Sequence, residues 1–150
     1  MINFQNIDTL DTFENYKGII AITFDPKINI MAYPDKANGY VKLKNYDKNE
    51  TILMNAHNSK IAHLSISSDG KFLASASEKG TKIRIFFTED GTFLHEFLVE
   101  KNTSEIFSIA FSMNNFISCS CSTGTIHIFS LKTATDKYLT NIVDKYRCIK

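Results

Sequence analysis

Ala74-Ser75-Ala76-Ser77-Glu78-Lys79-Gly80-Thr81-Lys82-Ile83-Arg84-Ile85-Phe86 decides the fold of this chain. A short apolar run, Phe72-Leu73-Ala74-Ser75-Ala76, enters a turn at Glu78-Lys79-Gly80-Thr81 and returns as Lys82-Ile83-Arg84-Ile85-Phe86. Apolar residues alternate on the return, which is strand spacing. A strand at Ile61-Ala62-His63-Leu64-Ser65-Ile66 precedes it across the turn Ser68-Asp69-Gly70-Lys71. Another, Phe93-Leu94-His95-Glu96-Phe97, follows the turn Glu89-Asp90-Gly91. The unit is four short strands joined by tight turns.

The unit recurs. Glu105-Ile106-Phe107-Ser108-Ile109-Ala110-Phe111-Ser112, Phe116-Ile117-Ser118-Cys119-Ser120-Cys121 and Gly124-Thr125-Ile126-His127-Ile128-Phe129 repeat its first three strands, with Phe86 and Phe129 43 positions apart. A fainter copy lies upstream in Gly18-Ile19-Ile20-Ala21-Ile22-Thr23-Phe24, Asn29-Ile30-Met31-Ala32-Tyr33 and Gly39-Tyr40-Val41-Lys42-Leu43. Four strands at a period of about 40–45 residues are the mark of a propeller blade. Stacked blades bury one another's apolar faces, and ring closure protects the sheet edges. A β-sandwich would need the two Gly-Thr turns to match by accident. The fold expected is all-β, a WD40-type β-propeller, with blades at about 14–53, 54–98 and 103–150. Residues 1–13, with a leading strand, would end a preceding blade. Three blades do not close a ring of usual size. The expectation is a piece of a longer product, or blades supplied by another chain, with apolar faces exposed on the two end blades.

Composition narrows the function. The chain has 150 residues, 43% of them hydrophobic, and a formal net charge of +1. Near-neutral charge gives no general argument for nucleic acid. No apolar run is long enough to span a membrane, so membrane contact would be peripheral. Three cysteines, Cys119, Cys121 and Cys148, have no framework spacing and read as reduced thiols of a cytoplasmic protein. Cys119 and Cys121 share one face of a strand. A thiolate metal site would need two further ligands, for which His127 and Cys148 are candidates by enumeration alone, so no metal or other cofactor is expected. No Gly-rich phosphate loop, nucleophile elbow or carboxylate pair points to an enzyme.

Residues from Ala56-His57 to Phe129 resemble the WD-repeat family, although the chain has no Trp. Phe86 and Phe129 stand where many repeats carry it, so the usual His-Ser-Asp-Trp tetrad is incomplete. Within that family, Ala74 to Phe86 and Ser122-Thr123-Gly124-Thr125-Ile126-His127-Ile128-Phe129 resemble the PROPPINs. These are seven-bladed, WIPI-type propellers of autophagy that bind phosphatidylinositol 3-phosphate and phosphatidylinositol 3,5-bisphosphate. The likeness runs from about residue 15 to 130 and places the chain in the middle-to-late blades. It implies two lipid pockets, one with His57, Ser75, Ser77 and Thr81, the other with Ser120, Ser122, Thr125 and His127. Ser and Thr at such places also satisfy strand and turn backbones in any such repeat, and His57 also reads as a structural blade histidine. One departure bears on function. Where the family carries Phe/Leu-Arg-Arg-Gly, this chain has Phe97-Leu98-Val99-Glu100. Guanidinium groups grip phosphate through paired charge-assisted bonds, and Leu98 and Val99 offer none. Lipid binding is expected to be weak or lost unless Lys79 or Lys101 supplies a point charge. Restoring arginine at 98 and 99 should then create it.

Beyond the last repeat, Tyr138, Leu139, Ile142, Val143 and Tyr146 fall at helical spacing among Lys132, Lys137, Lys145, Arg147 and Lys150. In the family a loop from this blade dips into the membrane, so residues 130–150 are a candidate loop or amphipathic membrane contact. An outer strand of the blade explains the same pattern. The function implied is a WD-repeat scaffold of autophagy, peripheral on pre-autophagosomal, endosomal or vacuolar membranes, with autophagy proteins as partners. The alternative is a protein-interaction propeller without phosphoinositide binding.

Overall fold

In the computed structural model, residues 5–12, 14–113 and 116–131 are described. They form three antiparallel sheets, each a meander in which consecutive strands pair. The first contains β1 (Ala21–Ile22), β2 (Ile30–Pro34), β3 (Tyr40–Asn45) and β4 (Glu50–Asn55). The second contains β5 (Ile61–Ile66), β6 (Phe72–Ser77), β7 (Lys82–Phe87) and β8 (Phe93–Leu98). The third contains β9 (Ile106–Phe111), β10 (Phe116–Cys121) and β11 (Ile126–Ser130). β5 packs against β1 and β2 on one side and against β9 on the other. The sheets therefore stack as neighbouring blades of a propeller, not as two facing layers.

The middle sheet shows why the pattern at 72–86 is decisive. Strand side chains alternate between faces. Leu73 lies between Ile66 and Phe86 in register, and all three join the core shared with the first sheet. Ala74, Ala76, Ile83 and Ile85 point the other way, into the core shared with the third sheet. Both faces are thus buried, and β6 is almost wholly inaccessible. Ala at 74 and 76 lets the third sheet approach closely. The outward faces of the end sheets are left apolar, as the repeat count implied: Ile20, Ile22 and Phe24 are exposed on the first, Phe107, Ile126 and Ile128 on the third.

Two features were not visible in the sequence pattern. β4 is the outer edge of its blade and buries only Met54, so Glu50-Thr51-Ile52-Leu53-Met54-Asn55 carries no alternation to read. Residues 5–12, within the stretch expected to hold a leading strand, form no strand; there Asp8 binds Lys44 and Tyr46 of the first sheet instead. The outer strand or membrane helix expected around Tyr138–Tyr146 lies outside the described residues.

The shared core makes a quantitative contrast. Leu73→Ala empties a site with 0% exposure and should cost about 2–5 kcal/mol. Leu53→Ala removes a side chain 54% exposed on the outer strand and should cost about 0.5 kcal/mol or less. Urea unfolding of the two variants checks the difference.

Candidate functional site at the seams between blades

His57 with Ser75, and Thr125 with His127, meet where the chain crosses from one blade to the next. At the first crossing, the N–H groups of Ala56 and His57 both donate to the carbonyl of Gly39, at 3.0 and 2.9 Å. That approach leaves no room for a side chain on the accepting turn. Gly39 has φ +79°, and a Cβ there would lie 1.8 Å from the His57 oxygen. At the second crossing, the N–H groups of Val99 and Glu100 both donate to the carbonyl of Thr81, at 2.9 and 3.3 Å. Gly80 beside it has φ +61° and an equally close backbone neighbour in Ser104. The two crossings are built alike, so Glu100 occupies the place of His57.

The strand registers extend the equivalence. Ser75 pairs with Arg84 across β6 and β7, and Cys119 pairs with His127 across β10 and β11. Cys119 therefore takes the place of Ser75, and His127 that of Arg84. The chemistry at the two seams differs accordingly.

In the first seam His57 Nε2 lies 3.0 Å from Ser75 Oγ, both residues being buried. Arg84 Nη1 donates to the carbonyl of Ala56 at 2.8 Å, and its Nε donates to Glu96 at 2.8 Å. Lys82 reaches the same carboxylate at 2.6 Å. Burial, with Arg84 beside it, pushes the His57 imidazole down to about 4, so the ring is neutral at physiological pH. This seam is closed, and its hydroxyl and imidazole serve each other.

In the second seam the Glu100 carboxylate is the hub. It accepts from Thr123 Oγ1 at 3.0 Å and Thr125 Oγ1 at 3.2 Å. His127 Nε2 lies 3.4 Å from it and 3.1 Å from Thr125 Oγ1. The Thr123 hydroxyl above all, against partial desolvation, holds Glu100 below the usual carboxylate range. Cys119 and Cys121 are buried behind it, as their shared face implied. Burial raises both thiols, Cys119 to about 12.

The remaining expected residues are dispersed. Ser77 is buried, and its carbonyl accepts from Gly80 N–H. Thr81 is half-buried in the turn and presents its carbonyl to the second crossing. Ser120 pairs with Ile126, on the opposite face from His127, and its hydroxyl lies 2.9 Å from that of Ser108. Ser122 Oγ accepts from the Glu105 N–H at 2.9 Å. The structure thus brings Thr125 and His127 together, and His57 with Ser75, but Ser120 and Ser122 apart from both. Glu100 was not among the sequence candidates. The signal was its 43-residue step from His57. Of the two positions lacking arginine, Leu98 is 59% exposed and Val99 is buried in the core.

A repeated blade architecture with polar seams defines a segment of a β-propeller. The PROPPIN family model matches residues 3–141. The chain belongs to the PROPPIN family. It is 36% identical over 124 residues to autophagy-related protein 18e of Arabidopsis thaliana, covering 82% of this chain and 33% of that protein. It is 37% identical over 134 residues to WD repeat domain phosphoinositide-interacting protein 1 of Xenopus laevis, covering 85% and 30%. A solved complex of KlAtg21 with the coiled-coil of AgAtg16 superposes with a TM-score of 0.67 at 27% identity, over 77% of this chain and 40% of that one. The chain thus spans about a third of the length of the curated relatives it matches.

His57 sets a pH dependence. Its folded value is depressed from 6.5 to about 4, so its contribution is complete above pH 6.5 and lost as pH falls through about 4. The size is on the order of 3 kcal/mol. Half-buried His63 is lowered in the same direction by burial. His57→Gln should flatten much of the stability change between pH 6.5 and about 5, leaving the His63 part; nearer pH 4 the lowered carboxylates, Glu96 and Glu100 among them, add their own loss. Urea midpoints measured against pH check it.

Proposed function

We propose that the intact protein is a WD-repeat scaffold of autophagy that reaches phosphatidylinositol 3-phosphate membranes mainly through partner proteins. In this reading the headgroup affinity of these blades is weak. Blades at about 14–53, 54–98 and 103–150 would be sectors of a seven-bladed ring. The protein would be cytoplasmic and peripheral on pre-autophagosomal, endosomal or vacuolar membranes. It would act by binding, not by catalysis.

One observation carries the reading. A carboxylate, Glu100, holds Thr125 and His127 at the second seam. A phosphate approaching those donors meets like charge and must displace bonds already made. Leu98 and Val99 add no compensating cation. Family membership and a relative named for phosphoinositide interaction support the membrane half. The likeness to a propeller solved with a coiled coil supports the partner half. In the second reading the propeller binds protein alone, with no phosphoinositide affinity; the absence of both arginines favours it.

Flotation of the full-length protein with vesicles containing phosphatidylinositol 3-phosphate tests the proposal. Leu98→Arg combined with Glu100→Gln adds a cation at an exposed position and removes the competing charge. The double variant should bind about tenfold more tightly than the natural protein, the effect of one charge-assisted bond. Equal and tight binding by the natural protein would sink the claim of weak headgroup affinity. Failure of the natural protein to reach these membranes even with its partners present would favour the second reading.

A further inference from the structure

The second seam gathers three ligating groups of different chemistry. One ligating atom each from Glu100, Cys121 and His127 lies within 4.8 Å of the others. We propose that Glu100, Cys121 and His127 form a three-ligand site for a single divalent transition metal of the zinc class, with the fourth position left to water. The site shares Glu100 and His127 with the lipid reading, but the two fail separately, because cobalt absorbance reads the metal and vesicle flotation reads the headgroup.

Geometry comes first. Zinc takes Cys sulfur at about 2.3 Å and His nitrogen or carboxylate oxygen at about 2.0–2.2 Å, in a tetrahedron that sets donor atoms about 3.3–3.7 Å apart. The His127–Glu100 pair is already at 3.4 Å. Cys121 would need to close by roughly an ångström at most to complete that tetrahedron, within reach of a small side-chain adjustment. The backbone holds the three in place from separate elements. Cys121 ends β10, His127 lies on β11, and Glu100 is fixed by its N–H bond to Thr81. Thr123 and Thr125 donate to the carboxylate. Such outer hydrogen bonds orient a metal-bound ligand.

Charge comes second. The partly buried carboxylates Asp8, Asp35 and Glu96 each bind a lysine or arginine. The Glu100 carboxylate, among the described residues, is bonded by two hydroxyls and an imidazole and by no lysine or arginine. A divalent ion bound by one carboxylate, one thiolate and one neutral imidazole gives a net charge of zero, which a seam between blades accommodates. Binding releases the Cys121 thiol proton to solvent, so affinity should rise with pH. Donor identity comes third. A soft thiolate with an imidazole selects zinc-class ions over magnesium or calcium. The first seam, with His57, Ser77 and Arg84 at the corresponding places, has no such set.

The test uses reduced, chelator-stripped full-length protein titrated with cobalt(II). One equivalent should produce a thiolate-to-cobalt charge-transfer band in the near ultraviolet, and zinc should then remove it. Cys121→Ser should abolish the band. Cys119→Ala should keep it. Glu100→Gln should retain the fold and weaken affinity by at least about tenfold, the scale of even an outer-shell loss. Absence of the band in the natural protein overturns the proposal. So does a band that survives Cys121→Ser, or one lost in Cys119→Ala or Cys148→Ala instead.

Discussion

Two successive N–H groups just past a blade's outer strand reach back to a single carbonyl at the head of the strand beside it. Ala56 and His57 do so to Gly39, and Val99 and Glu100 do so to Thr81. These bonds satisfy backbone donors that the change of blade would otherwise leave unpaired in a buried place. They extend the β3–β4 and β7–β8 ladders by one rung and so fix where the chain leaves each sheet for the next. The apolar faces of the middle sheet can then meet Leu43 and Val41 on one side and Ile106 and Ile117 on the other. Apolar burial supplies the driving force for stacking, but it is non-directional. The paired bonds fix the point from which the link to the next blade departs.

The same geometry explains how one scaffold carries two chemistries. Each crossing delivers a side chain to a fixed spot behind the second strand of the next blade. When that side chain is His57 and the strand offers Ser75, the result is a dry, neutral, self-satisfied pair. When it is Glu100 and the strands offer Cys121 and His127, the result is an anionic centre without a lysine or arginine of its own among the described residues. The difference between a structural seam and a candidate binding seam is thus three side chains on a common backbone. Leu98 and Val99, where the resemblance would place arginines, add no cation to the second seam. On the proposed reading a phosphate meets like charge at this seam, whereas a cation does not.

Much of the fold was legible because period-2 alternation and Gly-Thr turns recur. β5, β6, β7 and β10 emerge nearly as read, since each is buried enough for its pattern to show. β4 was not legible, because an outer edge strand buries one residue and leaves no alternation. The site was legible only in part. The shared face of Cys119 and Cys121 followed from their spacing, and both are buried in the same core. Ser120 could not be separated from His127 by sequence, because that depends on register across a turn: Ser120 pairs with Ile126 and Cys119 with His127. Glu100 was read as a charge beside a missing motif, when its 43-residue relation to His57 makes it the seam residue.

Amide hydrogen exchange on the full-length protein tests the central claim most directly. The N–H groups of Ala56, His57, Val99 and Glu100 should exchange as slowly as those of the β6 core, because opening any of them releases the link between two blades from its sheet. Exchange at the rate of the exposed turn residues Asp69 and Asp90 would contradict the account.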